Sequence, residues 1–344
     1  MSFVDSLPSI PAETRWRSSD LGSAEAVVVE VDLENLASAA AELIESDRDP
    51  LSITESDLSL HGAEDGVNEL IRVLRDGRGI AIVRGFPVDD VAPAAIELTF
   101  WRIGLALGRP VSQSVMGELL GHVIDKTDVD PHARAYRRNE KLTPHTDPAD
   151  YLAFLCLHPA ADGGVNHFVS ALELHEVLRT RHPELLERLY RGYRYSRFGE
   201  QADDEDPITP HRIPVFSQMN GLVSSRLVRQ YIEVAAAEDP DIVLDETDRQ
   251  ALDLLDDLAA DPDLALVFTL ARGEAVFANN FTVYHARTGF TDPPGGPKRH
   301  LLRLWLEGKP GRHVVAETQI YPGSVGVPPQ PGRLPSYATD VEII

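Results

Sequence analysis

From about residue 120 onward the chain is a succession of short apolar segments separated by turn residues, and this texture limits what it can fold into. The segments are 120–125, 151–157, 165–170, 213–217, 222–226, 264–270, 274–278, 281–285 and 299–306. Each is the length of a strand rather than of a core helix. Many short strands divided by Gly and Pro predict a β-sandwich or barrel. Helical spacing interrupts at 171–180, 183–190, 227–237 and 247–259, and these helices would cover an outer face of the sheet. Thr247-Asp-Arg-Gln250 has the pattern of a capping box at the start of the last one.

Ahead of this region, 32–46 and 66–76 have helical periodicity, GIAIVRGF (79–86) reads as a buried strand, and 90–107 reads as a helix stopped by Gly108 and Pro110. The first twenty residues form an extended arm, and 308–344, with several Pro and Gly, wraps the surface. Neither an internal repeat nor an interdomain linker stands out.

The charge balance narrows the choice of partner. Fifty-five acidic residues against thirty-two Lys and Arg leave a net charge of −23, a field that repels nucleic acid and anionic membranes. A single cysteine, Cys156, excludes an internal disulfide and any cysteine-rich zinc or iron–sulfur site. The N-terminus lacks the pattern of a signal peptide, and the apolar run Tyr151–Leu157 is too short to span a bilayer, so the cytosol is the expected compartment. The expected partner is a small molecule.

Two segments carry chemistry. In His145-Thr-Asp147 an imidazole and a carboxylate two apart on extended chain point to the same side and suit a divalent metal. The alternative for this tripeptide is a turn in which Asp147 bonds local backbone. His182-Pro-Glu184 has the same form, but Pro183 fits the first position of a helix, where positions two apart diverge. In the second segment, 276–306, His285 ends a strand-like run, and Arg299 and Arg303 share one face of a later apolar strand. Buried there, each arginine requires an anion; on an edge strand both would simply be solvated.

Taken together, His145-x-Asp147, His285, Arg299 fourteen residues later and Arg303 eighteen later resemble the Fe(II)/2-oxoglutarate-dependent dioxygenases of the TauD/TfdA family, in particular their clavaminate-synthase-like branch. The stretches GIAIVRGFPVDD, LGRPVSQ, LTPHTDPADYLAFLCLHPA, GGVNHFVSALELH and FANNFTVYHARTGF carry the likeness from about Gly79 to Gly308. The resemblance implies a mainly β fold with flanking helices around a double-stranded β-helix, or jelly-roll, core. It implies one catalytic domain, with an N-terminal arm and helix over 1–60, the core over 79–308 and a C-terminal extension over 309–344.

By the same resemblance His145, Asp147 and His285 would hold Fe(II), with 2-oxoglutarate as cosubstrate and dioxygen as oxidant. Arg299 would meet the distal carboxylate of 2-oxoglutarate. Ser170 would assist it, or would cap the helix that starts at Ala171. Arg303 would meet a substrate carboxylate or support Arg299, and Asn280, near His285, either makes a turn or contacts substrate. Asp147 stands where halogenating members have Ala or Gly, so halogenation is not expected.

Elsewhere, Tyr284 and Trp305 read as core and Cys156 as an inert buried thiol. His300 faces away from Arg299. The loops 127–141 and 199–211 are the expected lid and substrate-selecting segments. The expected reaction is hydroxylation of an unactivated carbon of an amino acid or its derivative, with 2-oxoglutarate leaving as succinate and CO2. Desaturation, cyclisation or epimerisation would use the same site. A zinc hydrolase or a non-catalytic jelly-roll binding protein are the alternatives of another class.

Overall fold

The computed structural model describes residues 3–45, 49–125 and 139–333. In chain order the N-terminal part contains α1 (Ser18–Leu21), α2 (Glu34–Ile44), α3 (Glu64–Asp76), β1 (Ile80–Val83) and α4 (Pro93–Leu107). Next come β2 (Gly108–Pro110), β3 (Leu120–Ile124), β4 (Leu142–His145), β5 (Tyr151–His158), β6 (Asp162–Gly163) and β7 (Asn166–Ser170). An inserted run follows: α5 (Ala171–Arg181), α6 (Pro183–Arg191), the hairpin β8 (Phe216–Met219) and β9 (Leu222–Ser225), α7 (Arg229–Glu238) and α8 (Glu246–Ala260). The chain then returns through β10 (Ala265–Phe268), β11 (Ala275–Asn279), β12 (Val283–Arg287), β13 (Phe290–Thr291) and β14 (His300–Gly308).

Two antiparallel sheets face one another. The larger has the order β1-β11-β5-β14-β2, with β3 also paired to β14; the smaller has the order β10-β7-β12-β4. This is the jelly-roll expected from the sequence. β8 and β9 pair only with each other, so that segment makes a hairpin beside the core rather than a further barrel strand.

Alternation along each strand decides the layers. Leu302, Leu304 and Leu306 of β14 join Ala153, Leu155 and Phe277 on the outside of the larger sheet, where Leu36, Leu70, Phe100 and Trp101 from the N-terminal helices cover them. Between the sheets lie Ile80, Ile82, Cys156, Phe168, Val276, Val283 and Leu301. On the far side of the smaller sheet, Val169 and Tyr284 pack with Leu174, Leu186, Leu189 and Leu252 of the inserted helices.

Local chemistry sets the helix ends. Pro93 and Pro183 occupy the first turns of α4 and α6, as their fixed φ favours. The capping box of α8 is made by Asp245 and Asp248 rather than by Thr247: each carboxylate accepts the other's backbone N–H, at 2.9 and 3.1 Å. The helix therefore begins at Glu246, and Arg188 reaches Asp245 across from α6.

The segment 199–211 is fastened at several points. Arg197 donates to the carbonyls of Asp206 and Ile320, and Arg333 to that of Gly199. The extension after β14 also reaches the site, for Gly326 N–H donates to the Pro148 carbonyl at 2.7 Å. Residues 126–138, most of the expected lid 127–141, lie outside the described residues, as do 334–344 of the C-terminal extension. Among the described residues no helix is long and apolar enough to cross a membrane.

Candidate metal centre

His145 is the last residue of β4, and in the sheet register it lies opposite His285 of β12. The two imidazoles are thus cross-strand neighbours, with ring centroids 4.2 Å apart. Asp147 follows in the turn after β4. Its Oδ1 lies 3.9 Å from His145 Nε2, and its Oδ2 lies 3.7 Å from His285 Nε2. Both gaps are too long for hydrogen bonds. One ligand atom from each residue falls within 4.8 Å of the others, a spacing that an ion about 2 Å from each can bridge.

The protonation pattern suits a cation. His145 Nδ1 lies 2.7 Å from the Thr143 carbonyl, which only accepts, so Nδ1 is the donor of that bond and Nε2 is the nitrogen turned to Asp147. Burial, then the neighbouring His145, pulls the pKa of His285 down to about 3, so it is a neutral donor near pH 7. Burial alone would raise Asp147. Its interactions with His285, Arg303, His145 and the Trp305 N–H outweigh it and hold the carboxyl below its usual range. Two imidazole nitrogens and one carboxylate, all turned to one point, fit Fe(II) held on one face with other positions open.

The turn carrying Asp147 is braced from three directions. Asp147 N–H donates to Asn280 Oδ1 at 3.1 Å. Its carbonyl accepts from the buried guanidinium of Arg226, which also reaches the Ala149 carbonyl at 3.5 Å. Thr146 is tied to Leu227, whose carbonyl accepts its N–H at 2.7 Å and whose N–H reaches its Oγ1 at 3.1 Å. Trp305 Nε1 donates to Asp147 Oδ2 at 2.7 Å.

Around the triad the cavity is lined by Phe154, Phe168 and Leu301 and by three arginines, Arg287, Arg299 and Arg303. Arg299 is 4% exposed and Arg303 3%, on or just before the central strand β14, so solvated arginines on an edge strand are ruled out. Arg287 and Arg299 flank the Phe290 ring, with Cζ 4.8 and 5.0 Å from its centroid. Burial lowers the pKa of Arg299. Burial and the charge of Arg299 bring Arg287 down to about 10. Gly164, at φ +65°, lies against the Arg299 side chain; an added Cβ would stand 3.2 Å from Nε. Arg303 Nε donates to Gln113 Oε1 at 2.6 Å, and Gln113 Nε2 donates back to the Arg303 carbonyl at 2.9 Å. Three guanidiniums against one carboxylate make the cavity a receptor for anions.

The structure therefore brings His145, Asp147, His285, Arg299 and Arg303 together. Ser170 and Asn280 stand elsewhere. Ser170 Oγ is engaged as the N-cap of α5, accepting the Glu173 N–H at 3.2 Å. Asn280 is fully buried behind Asp147, and its Oδ1 accepts the Asp147 backbone N–H. His182 joins α5 to α6 and Glu184 is exposed, so that pair forms no site. His300 meets His122, with ring nitrogens 2.9 Å apart. Tyr284 is core, bonded to the Ser225 hydroxyl. Trp305 is buried too, but it touches the candidate ligand and is more than core.

Sequence reasoning missed Arg287, Trp305, Gln113 and Arg226. For the first two a signal existed, because Arg287 follows His285 by two on β12 and Trp305 continues the 299, 301, 303 face. Gln113 and Arg226 come from loops and carry no local pattern.

The model of the taurine catabolism dioxygenase TauD/TfdA family matches residues 46–305. FR-33289 synthase of Streptomyces rubellomurinus is 30% identical over 262 residues, covering 72% of this chain and 74% of that protein. Among solved structures, asparagine oxygenase in complex with Fe(II), 2S,3S-3-hydroxyasparagine and succinate is similar in fold, with TM-score 0.57 and 19% identity over 81% of this chain and 93% of that one. The non-heme iron oxygenase OrfP in complex with Fe and alpha-ketoglutaric acid has TM-score 0.58 and 17% identity over 86% and 100%.

Proposed function

This chain belongs to the TauD/TfdA family of Fe(II)/2-oxoglutarate-dependent dioxygenases, and from that premise we propose that it hydroxylates an amino acid or amino-acid-derived small molecule, with His145, Asp147 and His285 holding the iron. When bound, the iron supplies activation of dioxygen coupled to decarboxylation of 2-oxoglutarate to succinate and CO2. The protein's part is to hold, orient and exclude water.

In this reading His145 and His285 give neutral nitrogens and Asp147 one negative charge. Arg299 receives the distal carboxylate of 2-oxoglutarate in a planar fork. Arg303, held by Gln113, receives an anionic group of the substrate. Phe154, Phe168 and Leu301 keep the space between them dry. The observation that carries the proposal is the enclosure of three ligand atoms and buried Arg299 in one cavity. The amino-acid class is supported by the structures of similar fold that hold 2S,3S-3-hydroxyasparagine and L-Arg.

The test is anaerobic. Fe(II) and then 2-oxoglutarate are added, and the visible charge-transfer band of a chelated keto acid is followed. The wild type gives the band and His145→Ala gives none. Arg299→Ala still binds iron but requires at least about a hundredfold more 2-oxoglutarate, the scale of losing one partner of a buried charge pair. A band of normal strength in His145→Ala, or unchanged 2-oxoglutarate affinity in Arg299→Ala, removes the respective assignment. Succinate release in the presence of individual amino acids then screens for substrate.

A further inference from the structure

We infer that Trp305 is a positioning residue for the metal centre: its indole N–H holds Oδ2 of Asp147 and so fixes the rotation of a carboxylate whose Oδ1 faces His145 and whose Oδ2 faces His285. The inference rests on the reading of His145, Asp147 and His285 as metal ligands.

An aspartate side chain has no torsional preference that selects one carboxylate oxygen over the other, because its terminal torsion is broad and two-fold. The Asp147 backbone is fixed independently by Asn280 and Arg226. What remains free is rotation of the carboxylate, and the Trp305 N–H at 2.7 Å is the contact that stops it. A hydrogen bond to an ionised acceptor is among the stronger ones.

The indole is itself held. It is 3% exposed on the inner face of β14, and the Arg303 guanidinium lies over it with Cζ 4.6 Å from the ring. Gln113 bonds Arg303 at both Nε and the carbonyl. A continuous chain from Gln113 through Arg303 and Trp305 thus ends on the carboxylate. The other two indoles serve the fold alone, for Trp16 donates to the Arg78 carbonyl and Trp101 to that of Ile53. Partners behind a metal ligand tune affinity through its orientation and basicity.

The experiment uses the full chain and Co(II) as probe, with neither cosubstrate nor turnover. Trp305→Phe keeps a ring beneath Arg303 and removes the N–H. The expected result is Co(II) binding weakened by about tenfold and a changed visible Co(II) spectrum, with circular dichroism like that of the wild type. A folded variant that loses less than about fivefold of that tenfold effect and keeps the wild-type spectrum overturns the inference. His145→Ala in the same titration separates the two levels: if it binds Co(II) like the wild type, the ligand reading fails; if only Trp305→Phe is unaffected, the role of Trp305 fails.

Should Trp305→Phe not fold, the wild-type indole N–H resonances decide, assigned through Trp16→Phe and Trp101→Phe. Displacement of the Trp305 signal by Zn(II), with the other two unmoved, supports the inference. A Trp305 signal that Zn(II) leaves in place overturns it.

Discussion

Strand β14 has two faces with different work. Outward, Leu302, Leu304 and Leu306 press into the layer of N-terminal helices, where Leu304 meets the bare backbone of Gly104 in α4. Inward, Arg303 and Trp305 stand beside Leu301, with Arg299 just before the strand, and face the cavity. The outer face is apolar and interchangeable in kind: any side chains of the right volume would seal it. The inner face contains buried cations that cost stability and are tolerable only against bonded partners. One strand thus separates adhesion from chemistry at a period of two residues, without help from domain structure.

The separation can be attacked from the outside first. Leu304→Ala should cost about 2–5 kcal/mol in urea unfolding, because Gly104 has no side chain to fill the space. Co(II) affinity of the folded fraction should stay within about twofold, the effect being confined to packing. A tenfold loss would mean that the faces are coupled. Gly104→Ala pushes from the opposite side: a Cβ there would stand 2.7 Å from Leu304 Cδ1, the movable end of a side chain. About 1–3 kcal/mol is expected by thermal or urea unfolding, again without change in metal affinity.

The smallest effect probes the inner face at its thiol. Cys156 lies opposite Leu301 and is 1% exposed, and burial raises its pKa to about 11. Iodoacetamide at pH 8 should label it over hours in the native protein and within minutes in urea, since the thiolate is the nucleophile. Fast native labelling would mean that the barrel is open there.

The pair of His-x-acid motifs indicates how far sequence carries. His145-Thr-Asp147 and His182-Pro-Glu184 look equivalent as strings, and backbone periodicity separated them. Pro183 begins α6 and turns its neighbours apart, whereas the end of β4 keeps His145 and Asp147 on one side. Strands, helices, Arg299 and Arg303 were legible because each depends on local periodicity. The same alternation makes Trp305 visible in retrospect.

Other features were hidden because they depend on tertiary neighbours. Ser170 fits both a cap and a ligand contact on spacing alone, and the cap became visible only through the bond to Glu173 N–H. Asn280 lies near His285 in sequence yet is aimed at the backbone of Asp147. Arg226 and Gln113 leave no trace, since their partners are 79 and 190 positions away. The α8 cap was misread by two residues because Asp and Thr both cap well.

The bracing of Asp147 also has a consequence in time. Its contacts with Arg226, Asn280 and Trp305 span 79, 133 and 158 residues. Contacts of that separation close late and slowly, because the entropy of long loops must be overcome first. During synthesis from the N-terminus, His145 and Asp147 emerge well before His285 and Trp305 exist. The nascent chain therefore lacks the third candidate ligand until β12 has been made, and the brace on Asp147 is complete only when β14 has inserted between β5 and β3. The full brace around Asp147 is thus a property of the finished barrel, absent from any shorter piece of the chain.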